Sequence, residues 1–113
     1  MADAKFEVFR SPRDSRYYFR LRSRGNLEII LSSEGYASKQ GCLDGIRSVK
    51  INSPFDSNYE VRNGSDTYTF NLWAGSWEII GHSERYTSSA ARDNGIEAVK
   101  RDAAVAEIVA NDL

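Results

Sequence analysis

The stretch Glu28–Ser38, EIILSSEGYAS, recurs fifty residues later as Glu78–Ser88, EIIGHSERYTS. At this offset, residues 28–54 and 78–104 are identical at eleven of twenty-seven positions. Ordinary composition would give about two identities by chance. Further upstream the offset changes by one to three residues, always where a turn is expected. The chain is therefore a tandem duplication, with repeat one at about residues 5–54 and repeat two at about 58–113.

Both repeats show the same order of predicted elements. A short apolar strand precedes an alternating strand, in which Tyr17, Phe19 and Leu21 share one face. A third strand then leads into a helix, with a hydroxyl side chain in the N-cap position at Ser38 and at Ser88. The other predicted strands are Phe6–Phe9, Leu27–Leu31, Tyr59–Arg62, Trp77–Ile80 and a last edge strand at Val105–Val109, and the predicted helices are Lys39–Lys50 and Ser89–Lys100.

A glycine lies in the middle of each predicted helix. Asp93-Asn94-Gly95 alone is typical of a tight hairpin turn, but its counterpart Leu43-Asp44-Gly45 lies among apolar residues at helical spacing. Both segments are therefore predicted to be helical. Glycine there costs about 1 kcal/mol relative to alanine, so we expect the helix backbone to approach the sheet or the other helix closely. A ligand contact on the helix surface is the alternative.

A single repeat of about fifty residues would be marginally stable alone. Two copies related by a pseudo-twofold axis can share one sheet and place both helices on one face. We therefore predict an α+β fold in a single domain over residues 1–113, made of a β-β-β-α unit used twice in one antiparallel sheet.

The repeated motif resembles the signature of the YegP-like family of bacterial proteins, in its tandem form. The residues that carry the resemblance run from Ile29-Ile30 through Ser33-Glu34-Gly35-Tyr36 to Val49-Lys50, and again from Ile79-Ile80 to Val99-Lys100. The resemblance implies a β(3)-α-β unit, with the strand after each helix exchanged onto the other unit. It implies no activity and no catalytic residues. The second copy departs from the motif at Ser89, in place of lysine, and at Arg92, in place of Cys42.

Composition excludes several classes of protein. The 113 residues are 41% hydrophobic and 27% charged, an ordinary globular mixture. Cys42 is the only cysteine and His82 the only histidine, so an intrachain disulfide and the common zinc clusters are excluded. No apolar run approaches the roughly 20 residues that span a bilayer, and the polar start of the chain predicts no signal peptide. We expect a cytoplasmic protein without a metal, a cofactor or a membrane partner.

The Ser33-Glu34-x-Tyr36 cluster, repeated with Ser83, Glu84 and Tyr86, is the most prominent polar motif. It could bind a polar ligand near a helix N-terminus, where backbone N–H groups favour anions. The structural alternative is that Ser33 and Glu34 satisfy the strand-to-helix turn while Tyr36 packs under the helix. Its occurrence in both copies favours the structural role.

The sequence contains no recognisable catalytic motif. His82 corresponds to Ser32 in the other copy, and its sequence neighbours Ser83 and Glu84 do not by themselves indicate a triad. Cys42 lies on the apolar face of a predicted helix, which favours a buried and unreactive thiol. A glycine-rich phosphate loop and a nucleophile elbow are also absent.

The charge is unevenly distributed along the chain. Residues 1–26 carry seven basic and three acidic side chains, and the remainder carries eight basic and thirteen acidic ones. If Tyr17, Phe19 and Leu21 face the helices, the intervening arginines line the open face of the sheet. Arginine and aromatic residues on a sheet could bind nucleic acid, although the overall pI of about 5.8 is low for that function. The alternative is a solvated face that discourages aggregation. The candidate binding residues are Arg16, Tyr18, Arg20, Arg22, Asn71 and Trp73.

These sequence features are compatible with three functions. The first is a small non-enzymatic accessory or binding domain with an unknown ligand. The second is weak binding of nucleic acid or anions through the arginine-rich face, and the third, least supported, is an enzyme with an unrecognised site. Because the two repeats supply both halves of a twofold unit, we expect a monomer.

Overall fold

The computed structural model describes residues 3–110, which form one seven-stranded sheet and two α-helices. A short 3₁₀ turn at Asp56–Asn58 precedes the fourth strand. The strands are β1 (Lys5–Arg10), β2 (Tyr17–Arg22), β3 (Ile29–Ser32), β4 (Tyr59–Asn63), β5 (Tyr68–Trp73), β6 (Ile79–His82) and β7 (Glu107–Ala110), and the helices are α1 (Lys39–Asn52) and α2 (Ser89–Ala103).

The sheet has an internal pseudo-twofold arrangement. Its strand order is β4-β5-β6-β3-β2-β1-β7, so each repeat contributes an antiparallel three-stranded meander. The meanders meet where β3 pairs with β6, and there Ser32 lies opposite His82. These two residues are counterparts in the duplication, and their pairing marks the centre of the sheet. The predicted α+β fold with one sheet shared by two repeats is confirmed.

The strand after each helix lies on the other repeat, as the family resemblance implies. β4 follows α1 and pairs with β5, whereas β7 follows α2 and pairs with β1. The β1–β7 pair is parallel, with Phe6 opposite Ile108, so the sheet is mixed rather than wholly antiparallel. β7 runs in the opposite direction to β6, just as β4 runs in the opposite direction to β3, so the two helical crossovers are alike. The pairing of β7 is parallel because β7 lies outside β1, whereas β4 lies directly beside β5.

Side-chain alternation separates a buried face of the sheet from an open one. Phe6, Phe19, Leu21, Phe70 and Leu72 are fully buried on the face that both helices cover. The core is completed by the inner faces of the helices, which contribute Cys42, Ile46, Val49 and Val99. The opposite face carries the intervening residues of each strand and is not covered by a helix.

The predicted N-caps are confirmed, and both helices extend further than predicted. The Ser38 hydroxyl accepts a hydrogen bond from the Gly41 N–H at 3.0 Å, and the Ser88 hydroxyl accepts one from the Ala91 N–H at 3.1 Å. The helices end at Asn52 and Ala103 rather than at the lysines. No helix in residues 3–110 is long and apolar enough to cross a membrane.

The third strand of each repeat begins two residues later than predicted. Leu27 and Trp77 have φ angles of 57° and 66°, in the left-handed region, and therefore belong to the turns. Each third strand then makes a bulge against its neighbour, at Leu21/Arg22 and at Leu72/Trp73. The sequence does not show this because the turns contain apolar residues that continue the apolar pattern of the strands.

Candidate binding surface on the open sheet face

One row of polar side chains crosses the open face of the sheet from one meander to the other. Opposed pairs along the row are Arg20 with Ser32, Ser32 with His82, and His82 with Asn71. Because directly opposed residues project on the same side, this register places all four side chains on the open face. The row ends at Glu7 beside Arg20 and at Glu60 beside Asn71.

An arginine–aromatic cluster occupies one end of this face. The Tyr18 ring is stacked on Phe9 with centroids 5.8 Å apart, and the Arg20 guanidinium lies 4.3 Å from the Phe9 ring centroid. These residues border a surface groove of about 570 Å³ that also includes Arg13 and Ser32. Positive charge and flat apolar rings are therefore present side by side on a surface open to solvent.

Asp14 orients the tyrosine of this cluster. The Tyr18 hydroxyl donates a hydrogen bond to the Asp14 carboxylate at 2.5 Å, and the Arg16 N–H donates to the same carboxylate at 2.9 Å. The hydrogen bond from Tyr18 and that from Arg16 lower the pKa of Asp14, while the same tyrosine–aspartate hydrogen bond raises the pKa of Tyr18. The pair therefore keeps an ionised aspartate and a neutral tyrosine near neutral pH. Arg16 lies beside Tyr18, since both side chains pack against Gly35.

Arg22, one of the candidate binding residues, is held in place by hydrogen bonds within the protein. Its Nε donates to Glu7 at 2.9 Å, and one of its terminal nitrogens donates to the Leu27 carbonyl at 3.0 Å. The sequence-based hypothesis treated Arg22 like Arg20. Since Arg22 links β1, β2 and the following turn, it is less available to a ligand than Arg16 or Arg20.

Asn71 and Trp73 form a second, separate cluster around Glu60. The Asn71 amide donates to Glu60 at 3.0 Å, and the Trp73 indole N–H donates to the same oxygen at 3.2 Å. Both hydrogen bonds lower the pKa of Glu60, so this carboxylate remains ionised. β5 and β2 are three strand spacings apart, about 14 Å. The six candidate residues therefore do not form one site.

Glu60 and Trp77 complete this second cluster and are not among the six residues predicted from the sequence. The Trp77 side chain is 84% exposed on the turn between β5 and β6. Trp77, Trp73 and Glu60 line a second surface groove of about 570 Å³. The duplication contains the signal for these residues, because Glu7 and Glu60 are conserved between the copies while Arg22 is replaced by Trp73 and Leu27 by Trp77.

The repeated Ser-Glu-x-Tyr clusters have structural roles. The Ser33 hydroxyl accepts from the Phe19 N–H at 2.9 Å and donates to the Glu34 carbonyl at 2.9 Å. Ser83 makes the same two hydrogen bonds in repeat two. The ring of Tyr36 packs under α1, where it contacts Gly45. These contacts satisfy the strand-to-helix turn and support the structural interpretation of the cluster.

Cys42 of repeat one and its counterpart Arg92 of repeat two are both buried. Cys42 is fully buried, and burial raises the pKa of its thiol to about 11. Its counterpart Arg92 is also buried, where it donates a hydrogen bond to Asn63 and lies over the Tyr68 ring. Within residues 3–110, no three His, Cys, Asp or Glu side chains are grouped so as to hold a metal ion.

Comparison with known proteins identifies the family. The family described as "Domain of unknown function (DUF1508)" matches residues 13–60 and again residues 64–109. The chain belongs to this family. Each DUF1508 match includes two strands of a meander, the helix and the first residues of the strand that follows the helix.

Relatives of this DUF1508 protein occur in several bacteria. A UPF0339 protein encoded in the 5′ region of the ptx operon of Stutzerimonas stutzeri is 45% identical over 92% of this chain and 93% of its own length. The UPF0339 protein YegP of Yersinia pestis is 42% identical, with 90% of each chain covered. The predicted resemblance to the YegP-like family is confirmed.

Two solved structures share the fold over nearly the whole chain. The solution NMR structure of a UPF0339 protein from Shewanella oneidensis has a TM-score of 0.88, with 38% identity and coverage of 96% of this chain and 91% of that chain. The solution NMR structure of YegP from Escherichia coli, described as a protein of unknown function, has a TM-score of 0.89, with 37% identity and coverage of 98% and 95%. The duplicated α+β architecture is thus shared with these relatives.

Proposed function

We propose that this DUF1508 protein is a non-enzymatic binding domain that holds single-stranded nucleic acid on the arginine end of its open sheet face. The observation that supports the proposal is the uncovered cluster in which Arg20 and Tyr18 both pack on Phe9. A sheet face with exposed rings can stack unpaired bases, and neighbouring arginines can contact the phosphates.

The charge distribution favours local and weak binding. The excess of basic residues is confined to the first 26 residues, and the chain as a whole has a net charge of −1. A nucleic acid would therefore be attracted to one end of the face and repelled by the acidic remainder. We expect few phosphate contacts and a pronounced dependence on salt.

The surface geometry also favours binding over catalysis. Two grooves of about 570 Å³ lie open on the sheet surface, and the groups with the large pKa shifts, the Cys42 thiol and the Tyr59 hydroxyl, are held in the scaffold. An enzyme would be expected to enclose its substrate and to place groups with shifted pKa values around it.

The test is a fluorescence anisotropy titration with labelled mixed-sequence single-stranded DNA and RNA at low and at physiological salt. We expect binding that weakens steeply with salt. Substituting Arg16→Ser and Arg20→Ser together should reduce the affinity at least about tenfold and lower the salt slope by about one unit per lost phosphate contact.

Arg22 is left intact in this variant because its hydrogen bonds to Glu7 and Leu27 support the scaffold. The matched control is Lys39→Ser with Arg47→Ser, which removes the same charge from exposed positions on α1. Equal losses in both variants, or no binding even at low salt, would contradict the proposal. The second result would direct the search towards protein partners.

A further inference from the structure

We propose that the groove between Trp73, Trp77 and Glu60 is a binding site for the guanidinium group of an arginine. The proposal goes beyond the proposed function, because it concerns the other end of the open face and a ligand of opposite charge. The difference between the two repeats at this position supports it.

In repeat one, the equivalent position is already occupied by a guanidinium group. Arg22 donates through Nε to the Glu7 carboxylate at 2.9 Å and through a terminal nitrogen to the Leu27 carbonyl at 3.0 Å. The Glu7 carboxylate also lies 4.0 Å from the Lys5 ammonium group. This carboxylate is therefore neutralised by cations of its own repeat.

In repeat two, the carboxylate is retained and the cation is missing. Glu60 occupies the place of Glu7, because each lies opposite the corresponding position of the next strand, Asn71 and Arg20 respectively. Glu60 accepts hydrogen bonds only from the neutral groups of Asn71 and Trp73 among residues 3–110. Arg62 acts on it at longer range without forming an ion pair. Among the described residues, the ionised Glu60 carboxylate at the edge of the groove thus lacks the cationic partner that Arg22 provides for Glu7.

The two tryptophans that replace Arg22 and Leu27 in repeat two can bind the cationic group of another molecule. Trp73 stands in the position of Arg22, and Trp77 stands in the position of Leu27. Indole faces attract cations most strongly among the aromatic side chains, and guanidinium groups stack on them while they donate to a carboxylate. The Trp77 side chain is 84% exposed, which is unusual for tryptophan and leaves a face free for contact. A groove of about 570 Å³ has room for an arginine side chain.

Trp73 and Trp77 are the two tryptophans of the chain, so tryptophan fluorescence, excited at a wavelength that the six tyrosines do not absorb, reports on this groove. We would titrate the full chain with N-acetyl-arginine amide, as a probe for peptide arginine, and with agmatine, as a probe for a free small molecule. We expect a saturable fluorescence change with at least one of them, and the tighter of the two identifies the source. N-acetyl-lysine amide should bind several-fold more weakly, because its ammonium group cannot form the two parallel hydrogen bonds to a carboxylate that a planar guanidinium group forms.

Two variants test the site itself. Glu60→Gln should weaken binding about tenfold, since it removes the charge that would pair with the ligand. Trp73→Arg rebuilds the internal pair of repeat one and should abolish binding while the circular dichroism spectrum is unchanged. The matched control is Glu34→Gln, which removes one exposed carboxylate that does not line the groove and should leave binding unchanged.

Several results would overturn the proposal. These are the absence of a saturable change with either guanidinium probe, equal binding of the lysine probe, or wild-type binding in the Glu60→Gln variant. Equal weakening by Glu34→Gln would attribute the effect to net charge and would also overturn it. None of these results depends on nucleic-acid binding, so the failure of either proposal leaves the other intact.

Discussion

Gly45 and Gly95 lie inside helices, where the helix propensity of alanine is more favourable by about 1 kcal/mol. Glycine is nevertheless required at both positions because a tyrosine ring of the same repeat fills the adjacent space. A Cβ atom at Gly45 would lie 2.3 Å from the Tyr36 hydroxyl oxygen and 2.7 Å from its Cζ. At Gly95 the corresponding distances to Tyr86 are 2.4 and 2.8 Å. The glycine is therefore coupled to the tyrosine of the Ser-Glu-x-Tyr motif, nine residues earlier.

We predict that Gly45→Ala and Gly95→Ala each destabilise the protein by about 1–3 kcal/mol, because overpacking exceeds the gain in helix propensity. Urea unfolding followed by circular dichroism measures this. Gly75→Ala is the control, since a Cβ there meets no atom within 4 Å and the position has no left-handed φ. Stabilisation by either helix substitution would show that the tyrosine moves aside at little cost.

At the same scale, the surroundings of the candidate binding residues were only partly predictable from sequence. The alternation in β2 correctly indicated that Tyr18 and Arg20 face away from the helices. It could not show that Arg22 is held by Glu7, fifteen residues away, because that contact depends on the strand register. Trp77 was missed because its left-handed backbone turns an apolar residue of a presumed strand into an exposed residue of a turn.

At the scale of elements, each helix end is fixed to the other repeat by a lysine. Lys50, near the end of α1, donates to the Ala103 and Ala106 carbonyls at 3.0 and 2.8 Å. Its counterpart Lys100, near the end of α2, forms an ion pair with Asp56 in the segment after α1. The final turn of each helix therefore contributes to the interface between the repeats, as well as to its own repeat.

The C-terminal end of α2 is also tied to the turn between β2 and β3 through the buried side chain of Asp102. Its carboxylate accepts two hydrogen bonds from Arg101, each 2.9 Å, and one from the Arg24 N–H at 3.3 Å. Burial by itself raises the pKa of Asp102. These hydrogen bonds and the charges of the two arginines together have a larger effect in the opposite direction, so the pKa of Asp102 is lower than its ordinary value. A carboxyl group with a decreased pKa stabilises the fold above its ordinary pKa, near 3.8, and loses that contribution as the pH falls through the lower folded value.

We predict that Asp102→Asn costs about 2 kcal/mol at pH 7 and progressively less below pH about 3.8, where the wild-type carboxylate also becomes protonated. Denaturant unfolding at a series of pH values measures the difference. Asp44→Asn is the control, because Asp44 is exposed and its ion pair with Arg47 is long, at 3.7 Å. A constant difference from pH 7 to pH 2 would contradict the assigned role of the Asp102 charge.

The elements themselves were predictable because the duplication supplied two versions of each one. The helical interpretation of Asp93-Asn94-Gly95 came from comparison with Leu43-Asp44-Gly45, and both segments are helical. The ends of the elements were less accurate, since the bulges near Arg22 and Trp73 shift the third strands and have no signature in apolar periodicity. The parallel pairing of β7 follows from its position outside β1, which depends on how the two repeats pack together and has no signal in the local sequence.

At the scale of the whole molecule, the two repeats are packed as one unit. α1 packs on β2 of its own repeat and on β5 and β6 of the other, while α2 packs on β5, β3 and β1. β7 adds backbone pairing across the same boundary, since it follows α2 and pairs with β1. A single repeat would leave β3 with an unpaired edge, and β6 fills that edge within this chain.

The edge strands β4 and β7 are the places where the sheet of a second copy of the chain could pair with this one. β7 has only four residues and begins with Glu107, and β4 carries the charges of Glu60 and Arg62 beside the exposed Val61. Short edge strands with charged side chains oppose edge-to-edge pairing. We therefore predict a monomer of 12.7 kDa at micromolar concentration, measured by sedimentation velocity. Arg62→Val, which removes the charge next to Val61, should increase self-association. A stable dimer of the unaltered chain would contradict the prediction.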